Sequence, residues 1–328
     1  MRGPLVQVII PTFNREHLIR ETLDSVLAQT YYDFVILISD DGSTDDTVHV
    51  LRQYQENYRD KIIRILRSPT NQGTARNFNK LLDVIVPEGY VAFLDSDDLW
   101  MPRKLEIQVA LMEEHPEWYF SFHDVEFFDS DSSDTLGLVS ELVGRGRGRL
   151  RGGGIADLFD PRLGMSQSST MYRANVLRTI RRNVLLRVDN DFLFDVEALA
   201  NGGSFGAINQ ILGKYRRHSG NISRQSRSTD ESFEEMLLAL AIIEARYPCL
   251  YFASLVTRRH IYTVAVIRSV RKRDYRRGKA IARNSLRSGA GVKPLLIYFL
   301  YRFFDRYSQR LKAHPFVSKV LSKAIYRL

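Results

Sequence analysis

The 328-residue chain has one cysteine, two tryptophans and no long apolar run. A lone cysteine, Cys249, excludes a fold stabilised by intramolecular disulfides. Because it lies between Pro248 and Leu250, we expect a packed rather than a reactive thiol. Since the chain can form no disulfide within itself, we also expect a cytoplasmic protein. No stretch reaches the roughly 18–20 apolar residues of a membrane-spanning helix. Residues 5–10 are also too few for the apolar core of an export signal.

The composition that remains is that of an ordinary globular chain. With 44% hydrophobic and 26% charged residues, it excludes collagen-like and wholly disordered classes. The net charge of +9 is unevenly distributed, because residues 224–328 contain 22 Lys and Arg against 7 Asp and Glu, whereas residues 1–223 contain 25 and 31. The basic segment suits an anionic partner, either a cytoplasmic membrane surface or nucleic acid.

Short apolar runs alternate with segments of helical periodicity in the first hundred residues. Strands are predicted at 5–10, 34–39, 62–66 and 90–94. The alternation predicts an α/β fold, a mostly parallel sheet with helices on both faces. Ligands of such sheets bind at the carboxyl ends of the strands.

Carboxylates crowd two of these strand ends. Asp45 and Asp46, beyond the second strand, fit helix capping. Asp95, Asp97 and Asp98 directly follow the fourth strand and repel one another unless a cation or hydrogen-bond donors compensate. Oxygen ligands without nearby Cys or His clusters favour Mg²⁺ or Mn²⁺, ions that bind phosphates alongside one or two carboxylates. The sequence therefore predicts a metal site and a phosphate-bearing substrate.

Five segments, in this order, resemble the family 2 glycosyltransferases of the GT-A (Rossmann-like) fold. They are Val-Ile-Ile-Pro-Thr-Phe-Asn-Arg at 8–15, Leu-Asp-Ser-Val-Leu-Ala-Gln-Thr at 23–30, Ser-Asp-Asp-Gly-Ser-Thr-Asp at 39–45, Asn-Gln-Gly-Thr-Ala-Arg-Asn at 71–77 and Leu-Asp-Ser-Asp-Asp at 94–98. The resemblance is strong over residues 5–125, weaker to about 224 and absent beyond. It implies an inverting enzyme that transfers a sugar from a nucleoside diphosphate, with UDP the expected carrier.

The resemblance also implies the donor site. Pro11, Asp41 and Arg76 would line the nucleotide pocket, although Arg76 could instead form a salt bridge. The Asp-X-Asp motif would be Asp95 and Asp97, with Asp97 the direct ligand of Mg²⁺ or Mn²⁺. Asp98 would lie beside them in the nucleotide-sugar site.

The resemblance places a general base within residues 188–203. Asp191 matches the family's base, but the position that usually holds Glu is Asn190. Asp189 could complete the pair or be the base itself. These residues precede the apolar positions of a predicted helix, so capping is the alternative role.

A closing block of the family corresponds to residues 213–223. His218 would reach the metal or the diphosphate and Arg216 the phosphates, while 166–170 would face the acceptor. This implies a catalytic domain at 1–223, with a nucleotide-sugar half to about 125 and an acceptor half at 126–223. Residues 224–328 would form a helical basic C-terminal region.

The basic region permits two arrangements. Residues 294–304, flanked by arginines, fit an interfacial helix on an anionic membrane surface, whereas a helical bundle packed on the catalytic domain is the alternative. Peripheral attachment to the inner face of the membrane suits a lipid-linked acceptor in polysaccharide or lipopolysaccharide assembly. The expected partners are thus a nucleotide-sugar donor and a carbohydrate or lipid-linked acceptor, with nucleic acid disfavoured.

Two other functions fit parts of the sequence. A nucleotidyltransferase also uses carboxylate-bound metal, but the chain has no Gly-rich, Lys-bearing phosphate loop near its N-terminus. A membrane- or nucleic-acid-binding protein with a degenerate transferase domain would explain the basic tail and Asn190. Neither function explains five motif segments in order.

Overall fold

A computed structural model describes residues 3–299, apart from 60, 62, 131, 133, 145, 147, 148, 188, 189, 219, 220 and 222–229. Contacts divide the chain into two units, with the boundary between Tyr247 and Pro248. The predicted site residues all belong to the first unit.

Four parallel strands form one half of the sheet in the first unit. They are β1 (Val6–Thr12), β2 (Phe34–Asp40), β3 (Ile63–Arg67) and β4 (Tyr90–Phe93), in the spatial order β3-β2-β1-β4. The register places Thr12 beside Asp40, so β1 and β2 end at the same sheet edge. The alternation read from the sequence is confirmed.

Helices cover both faces of these strands. The first four are α1 (Ile19–Leu27), α2 (Thr47–Asn57), α3 (Thr74–Leu82) and α4 (Lys104–Glu114). Successive strand residues point to opposite faces, so Val8 and Ile10 share one apolar core with α1, α2 and α4. On the other face, Phe93 meets Phe78 of α3 edge-on, with ring centroids 4.8 Å apart.

The second half makes the sheet mixed. Its strands are β5 (Leu99–Trp100), β6 (Trp118–Asp129), β7 (Thr135–Leu138), β8 (Met171–Arg173) and β9 (Ser204–Arg217). The order across the described strands is β3-β2-β1-β4-β8-β6-β9-β5, with β7 beside β6. Because β8 runs antiparallel between β4 and β6, it joins the two halves.

The described residues of the first unit also form the α-helices α5 (Val139–Leu142), α6 (Asn190–Leu199) and α7 (Asp230–Arg246). Glu235 of α7 accepts a hydrogen bond from the Arg187 N–H at 2.9 Å, and Arg246 pairs with Glu197 of α6. The unit therefore extends to Tyr247. The functional division after residue 223 stays a prediction.

The second unit is helical where it is described. It contains α8 (Tyr251–Arg271), α9 (Tyr275–Arg287) and a helical stretch at 293–299. A side chain at Gly278 of α9 would lie 3.2 Å from Val270 and 3.4 Å from Tyr298, so glycine permits close packing there. The expected helical C-terminal region is confirmed for these residues.

Two local expectations from the sequence need comment. Cys249 is exposed, so the expectation of a packed thiol is wrong: the apolar residues beside it in sequence do not cover it. Residues 300–304 of the suggested interfacial helix lie outside the described residues. Within the described part of the chain, no helix combines the length and apolarity needed to cross a bilayer.

Candidate functional site

The ends of β1 and β2 are tied to the start of α3. Asp41 is buried, and its carboxylate accepts hydrogen bonds from the N–H groups of Gln72 at 3.0 Å and Gly73 at 2.8 Å. The buried side chain of Asn77 donates to the Ser39 carbonyl at 2.8 Å and accepts from the Ser39 hydroxyl at 2.6 Å. The predicted nucleotide-side segments are therefore brought together.

The other two predicted nucleotide residues lie on the same elements. Pro11 is on β1, in register with Ser39 of β2. Arg76 is on the first turn of α3, with an exposed side chain that makes no ion pair among the described residues. Among the described residues, the alternative of a salt bridge thus has no partner for Arg76, and its role in the nucleotide pocket stays a prediction.

The segment after β4 forms a turn in which the Asp98 N–H donates to the Asp95 carbonyl at 3.1 Å. Asp98 is buried, and its carboxylate accepts hydrogen bonds from the Ser168 hydroxyl at 2.6 Å and the Arg216 N–H at 3.0 Å. Burial, followed by the charges of Asp97 and Asp95, raises the pKa of Asp98 well above its usual range. Asp98 thereby supports the turn from inside.

Ser168 and Arg216 act as supports of this turn. The Ser168 hydroxyl also accepts a hydrogen bond from the Asp95 N–H at 3.1 Å, so at least this residue of the 166–170 segment braces the carboxylates. The buried Arg216 guanidinium donates to the Asp97 carbonyl at 2.8 Å and pairs with Glu21 at 2.8 Å. Neither bracing contact was visible in the sequence, because the partners are 70 to 195 positions apart.

Asp97 lies between two groups from distant segments. Its Oδ2 atom is 3.0 Å from Nε2 of His218 and 3.4 Å from a guanidinium nitrogen of Arg15. The structure therefore brings together the predicted residues Asp97 and His218. Sequence reasoning assigned no role to Arg15, although it ends the first motif segment after β1.

Asp191, at the first turn of α6, faces the same cluster. Arg182 pairs with it at 2.5 Å and stacks 3.8 Å from the ring centroid of Phe78. Burial, with the charges of Asp97 and Asp191, raises the pKa of Asp95 to about 7, and Arg182 acts in the opposite direction. The carboxylates of Asp95, Asp97 and Asp191 are thus close enough to interact electrostatically.

The residues next to Asp191 differ in what they can do. Asn190 is buried, and its amide donates to the carbonyls of Asn183 and Leu186, both at 2.7 Å. That amide holds the preceding turn and has no free side-chain N–H for a ligand. Asp189, the other candidate base, lies outside the described residues.

The donor set can be compared with the needs of Mg²⁺ or Mn²⁺. Among the described residues, no three His, Cys, Asp or Glu side chains are arranged to hold an ion by themselves. However, Oδ2 of Asp97 and Nε2 of His218 lie 3.0 Å apart, and a carboxylate and an imidazole are both groups that could ligate a divalent cation. The residues therefore fit an ion that takes its remaining ligands from phosphate and water, as Mg²⁺ usually does.

Carboxylates, an imidazole and arginines thus lie together at the carboxyl edge of a mixed α/β sheet, the edge at which ligands of such sheets bind. The family model "Glycosyl transferase family 2" matches residues 7–181, more than half of the chain. The chain belongs to this family. The match ends before Asp191 and His218, so the family model does not reach those two residues.

Curated relatives share the first part of the chain. EpsE of Bacillus subtilis, named as a glycosyltransferase, is 38% identical over 113 residues, which cover 34% of this chain and 40% of EpsE. An Escherichia coli protein, UDP-Glc:alpha-D-GlcNAc-diphosphoundecaprenol beta-1,3-glucosyltransferase WfgD, is 37% identical over 108 residues, 33% of this chain and 41% of WfgD. The chain thus spans about two fifths of these relatives' lengths.

Solved structures share the fold. Staphylococcus aureus TarS 1-349 in complex with UDP-GlcNAc has a TM-score of 0.60 and 17% identity, over 87% of this chain and 92% of that one. The mannosyltransferase PcManGT from Pyrobaculum calidifontis, in complex with GDP-Man and Mn²⁺, has a TM-score of 0.63 and 14% identity, over 98% and 85%. The expected GT-A fold is confirmed.

Proposed function

We propose that this protein is an inverting glycosyltransferase, which moves a sugar from a nucleoside diphosphate, most simply UDP, to an acceptor hydroxyl. The observation that carries the proposal is the meeting of Asp97, His218 and Arg15 beside Asp95 and Asp191. These groups come from the ends of four different segments and converge on one edge of the sheet. WfgD, which is named for a UDP-Glc donor, and the complex of TarS with UDP-GlcNAc support the choice of UDP.

In this proposal, Asp97 and Asp95 hold Mg²⁺ or Mn²⁺, with His218 beside Asp97. The ion supplies Lewis-acid stabilisation of the diphosphate as it leaves. Pro11, Asp41 and Arg76 line the nucleotide pocket, and the exposed Arg76 guanidinium contacts the nucleotide. Arg15, 3.4 Å from Asp97, contributes a second positive charge near the diphosphate.

Asp191 is the proposed general base. It accepts the proton of the acceptor hydroxyl while the acceptor oxygen bonds to the anomeric carbon and the bond from that carbon to the diphosphate breaks. One displacement of this kind inverts the anomeric configuration. A positioned carboxylate contributes about 10²- to 10⁴-fold to such a step.

The proposed acceptor is a carbohydrate, lipid-linked at the inner face of the membrane, in the assembly of a cell-surface polysaccharide or lipopolysaccharide. WfgD, whose name includes a diphosphoundecaprenol-linked acceptor, supports this choice. The enzyme would then work in the cytoplasm at an anionic membrane surface. Nucleic acid is not a proposed partner.

Calorimetric titration with UDP, GDP and dTDP, with and without Mn²⁺, tests the donor site. We expect one nucleotide to bind in a Mn²⁺-dependent manner to the native chain and at least about tenfold more weakly to Asp97→Asn, because a charged metal ligand is lost. Asp83→Asn is the matched control, since Asp83 pairs with Arg181 on the surface.

Either of two results would count against the donor site. Equal nucleotide binding by Asp97→Asn and Asp83→Asn would show that Asp97 is not part of the donor site. Binding of no nucleotide by a folded native chain would overturn the proposed donor class.

A further inference from the structure

The second unit carries an unusually one-sided charge. Residues 248–299 contain twelve Lys and Arg and a single acidic residue, Asp274. The Asp274 carboxylate accepts a hydrogen bond from the Arg277 N–H at 3.0 Å, at the start of α9. The unit's one described carboxylate is therefore used in capping a helix.

Helix α9 sorts its residues onto two faces. Gly278, Ile281, Ala282 and Ser285 are buried and form one face. Arg276, Lys279, Arg283 and Arg287 are exposed and lie within roughly 80° of one another at 3.6 residues per turn. We call these four residues the α9 basic stripe.

Within the described part of the chain, no carboxylate neutralises the α9 basic stripe. Its four side chains make no ion pair among the residues that the structure describes. Parallel cationic side chains on adjacent turns repel one another by a few tenths of a kcal/mol per pair. An anionic surface would relieve that repulsion, with each Lys or Arg near a charged leaflet contributing about 1 kcal/mol.

Large apolar side chains are exposed on the same unit. Leu286 borders the α9 basic stripe and is 44% exposed. Leu296 and Phe299 are exposed on one side of the helical stretch at 293–299, and Phe252 of α8 is 80% exposed. Cationic and apolar groups on one small helical unit are typical of segments that lie in the headgroup region of a bilayer.

We propose that the α9 basic stripe is the membrane-contacting surface of this protein, and that its partner is a bilayer with anionic lipid headgroups. The contact brings the transferase to acceptors embedded in the same leaflet. Exposed leucine and phenylalanine favour a bilayer over RNA, because a phosphate backbone offers them no apolar environment. The inference extends the proposed function and rests on it for the reason to be at a membrane.

Sedimentation of the full chain with vesicles tests the surface without turnover. The vesicles are phosphatidylcholine alone and phosphatidylcholine mixed with phosphatidylglycerol. We expect binding only to the mixed vesicles, at least about tenfold weaker at about 0.5 M NaCl than at low ionic strength. The variant with Arg276, Lys279, Arg283 and Arg287 changed to Gln should bind at least about tenfold more weakly than the native chain.

A matched variant removes the same number of charges from the first unit. Arg52, Arg59, Arg64 and Arg178 are exposed there, and changing all four to Gln should leave vesicle binding within about twofold of the native value. Circular dichroism and nucleotide titration of both variants show whether they are folded.

Each other outcome overturns the proposal. Equal loss in both variants would mean that net charge, not the stripe, decides binding. If the native chain did not bind the mixed vesicles, or bound an RNA oligonucleotide instead, a lipid partner would be excluded. The vesicle assay contains no nucleotide sugar, so a negative result in it would not count against the proposed donor site. A negative nucleotide titration would likewise not count against the proposed membrane-contacting surface.

Discussion

The carboxylates of the candidate site are partly neutralised by basic side chains. Asp95, Asp97 and Asp191 would repel one another, and Arg15, Arg182 and the imidazole of His218 lie among them. Only partial compensation is reached, since the pKa of Asp95 remains raised to about 7 by burial and its carboxylate neighbours. The carboxylates thus remain incompletely neutralised by the protein's own cations, which supports the proposal that a divalent ion binds among them.

Arg182 is the residue that we expect to position Asp191. Its guanidinium lies between Phe78 and Asp191. Arg182→Leu should lower the rate of nucleoside diphosphate release from the sugar donor by about 10- to 100-fold, with a smaller change in the donor KM, because the base is misplaced while the nucleotide pocket remains. Steady-state kinetics measure both quantities.

Arg181 provides the control for that prediction. It is the preceding arginine, half-exposed, and pairs with Asp83 at 2.9 Å. Arg181→Leu should stay within about twofold of the native rate. Arg182→Lys should recover part of the loss, because it keeps the charge but not the planar stack. Equal effects of Arg181→Leu and Arg182→Leu would show that neither acts through Asp191.

Lys104 supplies a prediction for stability against pH. It is fully buried over the Trp100 ring, 3.7 Å from the centroid, and Nζ has no hydrogen-bond partner among the described residues. Burial lowers its pKa well below the usual value. The cation–π contact is worth about 2 kcal/mol, less than the several kcal/mol of desolvating a charge, so the neutral amine is favoured.

The sign of the pH dependence follows from that lowered pKa. Between the folded and unfolded pKa of Lys104, the unfolded chain binds the proton and the folded chain does not, so stability rises with pH. Lys104→Met should be more stable than the native chain at pH 7. The difference should shrink by about 1.4 kcal/mol per pH unit towards pH 9. Urea unfolding at several pH values measures it, and a constant difference would refute a lowered pKa.

Among the elements, α3 is held partly by the side chain of Asn77, to which the sequence assigned no role. Asn77 connects α3 to Ser39 of β2 through two hydrogen bonds, whereas Asn71, in the same motif segment, is exposed. Both asparagines belong to the segment at 71–77, and nothing in the sequence distinguishes their roles. Burial in the folded structure distinguishes Asn77, which anchors α3, from Asn71, which lies in an exposed loop.

The two asparagines are therefore expected to differ on substitution. Asn77→Ala should lower the free energy of unfolding by about 2–3 kcal/mol, because it leaves the buried Ser39 hydroxyl without its acceptor and removes the hydrogen bond from the amide to the Ser39 carbonyl. Asn71→Ala should cost less than about 1 kcal/mol. Equilibrium denaturation of both variants compares them, and similar losses would contradict an anchoring role for Asn77.

Elements with strong periodicity were predictable and irregular ones were not. Buried runs such as 34–39 have the β-branched composition of a parallel strand, and the structure has β2 there. By contrast, residues 149–154, which have no regular apolar periodicity, contain the buried Leu150 and pair with β9 at Gly153. No local pattern reveals such pairing, because the partner, Phe205, is some fifty residues away.

Over the whole molecule, the boundary between the units coincides with a change in charge. Residues 1–247 contain 28 Lys and Arg against 36 Asp and Glu, and residues 248–328 contain 19 against 2. The asymmetry is sharper at this boundary than at the predicted division after 223. The acidic helix α7 is the cause, since its contacts place it with the first unit.

Two shortened chains test where the catalytic unit ends. A chain ending at Tyr247 should keep nucleotide binding, because it retains every proposed site residue and α7. A chain ending at residue 223 should melt at least about 5 °C lower, since it loses the partners of Arg187 and Glu197. Thermal unfolding compares them, and equal melting temperatures would assign α7 no part in the stability of the unit.

By itself, the sequence determined the α/β class, the order of the motif segments, the family and the basic character of the C-terminal region. These depend on local composition and periodicity, which are properties of neighbouring residues. The tertiary structure decided that Arg15 and His218 meet Asp97, that Ser168 supports Asp98, and that Arg182 holds Asp191. These contacts join residues about 10 to 120 positions apart, and the sheet order and packing alone bring them together.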